Sequence, residues 1–131
     1  MNFRKLRSIL LLGVVASLLV ACSGEPRVAA NVEAALGAVP GVVSASTEFR
    51  NSAGVSSRFS VRITASPDAD LYTVLDDSLR AFADASGDSK GSTSVAFYVF
   101  PEGAEEEGLR PDEVGLGVTP SVDEIRQYAA S

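Results

Sequence analysis

The 131-residue chain contains no histidine and a single cysteine, Cys22. Without an imidazole there is no Ser-His-Asp or Cys-His nucleophilic system, no HExxH zinc site and no histidine general base. One thiol forms no disulfide within the chain. Lysine is nearly absent too, since Lys5 and Lys90 are the only two and the other cations are arginine. A membrane-spanning run is also missing. The N-terminal apolar stretch, residues 8–20 (SILLLGVVASLLV), has thirteen residues, and a spanning helix needs ~20. No sequence repeats, and no linker is long enough to split the chain into two domains.

What is present begins with that stretch. Arg4, Lys5 and Arg7 precede it, and Leu19-Val20-Ala21-Cys22 closes it. A basic start, an apolar run of ~7–15 residues and a small residue at the end form the pattern of a secretory signal. Leu19, Val20 and Ala21 followed by Cys22 resemble the bacterial lipobox. This resemblance covers the first 22 residues and implies removal of residues 1–21 and a diacylglyceryl group on the Cys22 thiol. In many bacteria the new amine is acylated as well. Each buried methylene contributes ~0.8 kcal/mol, and two chains give stable attachment where one is marginal. The implied location is the cell membrane, lipid-anchored and facing outside the cytoplasm. Two other readings compete, an ordinary secretory signal with Cys22 left as a free thiol and a permanent membrane helix.

Removing residues 1–21 takes away three basic residues and no acid, so eight cations remain against seventeen acids, a net charge of −9. Such a domain repels nucleic acid and anionic headgroups. Membrane contact therefore rests on the lipid, and no nucleic-acid partner is expected. Residues 22–25 form a short lipidated tether, and residues 26–131 a single α/β domain.

Along that domain, Val28, Val32, Ala35, Leu36 and Val39 recur at helical spacing, predicting a helix over 26–38 that Pro40-Gly41 stops. Val43, Ala45, Thr47 and Phe49, then Phe59, Val61, Ile63 and Ala65, alternate with polar residues about a Gly-containing turn, which predicts a β-hairpin. Ser66-Pro67 with Asp68 and Asp70 predicts the start of a second helix ending near Ala85. The apolar run VAFYVF within 93–100 predicts a central strand covered on both faces. Val114, Leu116 and Val118 alternate with glycine, as in a short edge strand. Ser121 with Glu124 matches a capping box opening a last helix, with Val122, Ile125 and Tyr128 inward.

The order helix, hairpin, helix, strand resembles a ferredoxin-like βαββαβ unit lacking its first strand. The expected class is α+β, a two-layer α/β sandwich of αββαβ order with a short edge strand and a C-terminal helix. Residues 28–65 also resemble heavy-metal-associated domains, but those hold metal through a C-x-x-C that this chain lacks. The chain as a whole resembles small actinobacterial lipoproteins.

Candidate sites are few. Residues 84–95 fail the EF-hand pattern, with Ser89 where Gly belongs and Val95 where Glu belongs. Ser86 and Lys90 miss the S-x-x-K spacing. Glu105, Glu106 and Glu107 form an acidic run that could touch a partner or a cation. No catalytic residue, cofactor or metal site is expected. The expected function is a non-catalytic lipoprotein contacting an envelope protein, the alternative a small-ligand or cation binder.

Overall fold

The computed structural model describes residues 24–52, 56–87 and 89–131. The signal segment and Leu19-Val20-Ala21-Cys22 lie outside the described residues. The elements are α1 (Gly24–Gly37), β1 (Val42–Ser52), β2 (Ser56–Ala65), α2 (Leu71–Ala85), β3 (Ser94–Pro101) and α3 (Val122–Ala130), with 3-10 turns at Glu105–Glu107 and Pro111–Val114. The class is α+β, a three-stranded mixed sheet with helices packed on one face.

Helix α1 starts two residues before the expected Pro26. Proline is tolerated there because the first four N–H groups of a helix have no internal acceptor. Val28, Val32 and Leu36 are buried as the spacing demands. Gly41 adopts φ 90°, with Ala69 Cβ and Val74 Cγ2 3.1 Å from where its own Cβ would be. This tight turn sends the chain back along α1, so β1 runs antiparallel to the helix.

The hairpin forms as expected, with Phe49 opposite Phe59 and Thr47 opposite Val61. One residue departs from the alternation. The register shifts between Val42 and Ser44, so Val43 turns outward and Val42 packs on the core instead. Phe59, Phe82 and Phe97 meet edge to face across the core, with ring centroids 5.5 and 6.0 Å apart.

Helix α2 begins later than expected. Ser66 and Pro67 belong to a turn closed by the Ala69 N–H donating to the Ser66 carbonyl at 3.0 Å. Asp70 is the cap, accepting from the Tyr72 N–H at 3.0 Å. The capping box of α3 is present in full, with Ser121 Oγ accepting from Glu124 N–H at 3.1 Å and Glu124 Oε1 accepting from Ser121 N–H at 2.8 Å.

Strand β3 is not central. The order is β1-β2-β3, with β2 antiparallel to β1 and parallel to β3. Val95, Phe97 and Val99 face the helices and are buried. Tyr98 and Phe100 lie on the opposite face, where the loop after β3 folds over the sheet. Residues 114–118 form no strand. Pro111–Val114 is a 3-10 turn, and Gly115 at φ 97° ends it. Leu109 and Ser121 meet the outer edge of β3 through isolated bridges to Val99 and Ser94 instead. No helix among the described residues is long and apolar enough to cross a membrane.

Candidate functional site

Glu105, Glu106 and Glu107 sit on an exposed 3-10 turn, and the loop carrying them is pinned to the sheet. The Tyr98 hydroxyl donates to the Glu105 carbonyl and accepts from the Gly108 N–H at 3.0 Å. Arg62 pairs with the Glu105 carboxylate and lies 5.0 Å from the Phe100 ring centroid. The Arg110 guanidinium also sits 4.4 Å from the Tyr98 ring centroid. Glu105 is therefore committed to Arg62, and Glu106 and Glu107 face solvent. Among the described residues, no three of His, Cys, Asp or Glu are gathered where they could hold a metal ion.

A broad, open concavity lies between α1 and β1. It measures about 830 Å³ and is lined by Ala29, Ala30, Ala34 and Gly37 of the helix and by Ala45, Thr47 and Phe49 of the strand, with Glu33, Glu48 and Arg50 on its margins. Small side chains on this face of α1 leave the space open. Glu33 reaches across it, its carboxylate accepting from the Thr47 N–H at 2.9 Å. That bond shows that Thr47 points its backbone away from β2, toward the free edge of the sheet. The Thr47 hydroxyl is buried in the groove wall without a hydrogen-bond partner. Arg50 and Glu48 form an exposed ion pair at 3.3 Å.

Comparison with known proteins returns no relative. No protein-family model, no curated protein and no solved structure matches this chain.

One further polar cluster ties α3 to α2. The Tyr128 hydroxyl donates to Asp76, and Arg80 Nε donates to both Asp76 oxygens at 3.2 Å. Arg80 also donates to the Ala129 carbonyl at 3.0 Å and lies 5.2 Å from the Tyr128 ring centroid. The Tyr128 hydrogen bond, aided by Arg80, holds the Asp76 carboxyl below its ordinary range. Burial, then the hydrogen bond to Asp76, pushes the Tyr128 phenol up. A shallow, open concavity lined by Arg80, Asp84, Arg126 and Ala129 adjoins the cluster, whose bonds join the C-terminal helix to α2.

This cluster has a pH signature. A lowered carboxyl contributes stability that is present above its unfolded value near ~3.9 and lost as pH falls through the folded one. A raised phenol contributes stability that is present below its unfolded value near ~10 and lost as pH rises through the folded one. Tyr128→Phe is expected to cost about 1 kcal/mol at neutral pH and to flatten both limbs. Urea titrations at acid, neutral and alkaline pH check this, and an unchanged acid limb would contradict it.

The acidic run was visible as a string of letters, but its pinning by Arg62 and Tyr98 was not. The groove escaped sequence reasoning altogether, although Ala30, Ala34 and Gly37 at helical spacing mark a helix face without bulk.

Proposed function

We propose that this protein is a membrane-anchored lipoprotein whose small α/β domain is displayed outside the cytoplasm and acts by contact rather than by catalysis. The observation that carries the reading is the junction of motif and fold. Helix α1 begins at Gly24, two residues beyond Cys22. A lipid on Cys22 would hold the domain against the membrane face with almost no free tether, since each residue spans at most ~3.3–3.6 Å. The αββαβ order of the described elements supports a distant ferredoxin-like relation.

Acids outnumber cations at the end of the domain where β3 finishes. The end where α1 starts carries Arg27, Arg50, Arg58 and Lys90, interspersed with acids. The end where β3 finishes carries exposed Glu102, Glu106, Glu107, Asp112 and Glu113. That end suits an envelope partner with a cationic segment, because complementary potentials steer encounter.

The test is fractionation of a bacterial host expressing the full chain or its Cys22→Ala variant. The parent chain is expected in membranes, resistant to high salt and alkaline carbonate but released by detergent. The variant is expected to lose that detergent-dependent attachment. Equal retention of both chains would sink the lipid anchor.

A further inference from the structure

We propose that the free edge of β1 pairs with β1 of a second copy about a two-fold axis through Phe49, joining two three-stranded sheets into one of six strands. This goes beyond the anchoring and acidic-end readings, because it concerns the opposite edge of the sheet.

The argument starts from the backbone. Among the described residues, β1 is an eleven-residue strand at the end of the sheet order. Exposed edges of this length template pairing with another chain unless they are blocked. The Glu33–Thr47 bond fixes the parity of the edge, so Ala45, Thr47 and Phe49 direct their backbone groups outward. These residues point their side chains toward α1, and Ser46, Glu48 and Arg50 point theirs to the opposite face.

Charge then selects the occupant and the register. With the axis through Phe49, Glu48 of each copy stands opposite Arg50 of the other, giving two cross-strand ion pairs. Moving the axis to Glu48 sets that carboxylate against its own copy, and moving it to Arg50 does the same for the guanidinium. Moving it to Thr47 leaves both charges facing serines, Ser46 and Ser44. Only the Phe49 register is self-complementary. An unrelated peptide would have no reason to match this Glu-Phe-Arg order, so a second copy is the favoured occupant.

The groove fits the same register. The small residues Ala30, Ala34 and Gly37 leave room for the two α1 helices to approach across the axis, since interhelical distance depends on side-chain size. Half-buried Phe49 would be covered by its own copy. Glu33 must leave the Thr47 N–H for the strands to pair, so it sets how readily the edge opens.

The test uses full-length chains carrying two different tags, co-expressed and co-purified in detergent, with sedimentation to measure association. The parent chains are expected to co-purify. Arg50→Glu in both copies, or Glu48→Arg in both, should weaken association roughly tenfold or more, because attraction at two positions becomes repulsion. Combining Arg50→Glu in one copy with Glu48→Arg in the other recreates both ion pairs and should restore co-purification, a rescue that misfolding would not allow. Glu33→Ala should tighten association by freeing the edge. A parent chain that stays monomeric, including one whose edge is occupied by a segment of another protein, would overturn the proposal. So would single variants without effect, or a mixed pair without rescue.

Discussion

Replacing Phe82 with alanine is expected to destabilise the domain by about 3–5 kcal/mol, the range for truncating a fully buried aromatic. Phe82 is 0% exposed and stands on α2 between Phe59 of β2 and Phe97 of β3, touching both edge to face. Its removal deletes two aromatic contacts at once and opens a cavity beneath the middle of the sheet. The surroundings cannot easily collapse into that space, because both neighbouring strands are fixed by their shared ladder. Small domains have only ~5–15 kcal/mol in total, so the variant should lie near the threshold of folding. Thermal unfolding should show a midpoint lowered by more than about 10 °C. Val43→Ala, at a residue 51% exposed, is the control and should stay within about 0.5 kcal/mol of the parent.

Gly108→Ala carries the second large effect. A Cβ at Gly108 would lie 2.5 Å from both Tyr98 Cζ and the Val99 carbonyl oxygen. The ring could rotate, but the carbonyl belongs to β3 and accepts the Leu109 N–H at 2.7 Å. Either that bond breaks or the loop lifts, at a cost of about 1–3 kcal/mol typical of overpacking. Lifting the loop would also separate Glu105 from Arg62 and uncover Tyr98. Hydrogen exchange should then show the Leu109 and Gly108 amides losing protection in the variant, with the β1–β2 hairpin unaffected. Unchanged protection at both amides would contradict the tight seat described for Gly108.

The elements most legible in the sequence were those written locally. Thr47, Phe49, Phe59 and Val61 alternate within a single hairpin, and Ser121 with Glu124 spells out its own cap. The misreadings have a shared physical origin, the same side-chain pattern produced by different neighbours. Tyr98 and Phe100 made β3 read as a central strand, whereas the loop at Glu105 and Gly108 covers its outer face and β3 lies at the end of the sheet order. Val114 and Leu116 alternate with glycine as a strand would, but the left-handed backbone at Gly115 turns them onto the core. At α2, Ser66-Pro67 offered a plausible start, and Asp70 four residues later made the actual cap. The groove was hidden for a further reason. Which hairpin strand lies at the edge depends on the parallel pairing of β2 with β3, a contact across some forty residues that no local pattern records.

Tying these features to function depends on what Cys22 carries. The most direct measurement is the intact mass of the full-length protein extracted from the membranes of a bacterial host, beside its Cys22→Ala variant. The account predicts loss of residues 1–21 together with the added mass of a diacylglyceryl group, with or without a further acyl chain, and absence of that addition in the variant. A processed chain without lipid, or a chain of unprocessed mass, would contradict it.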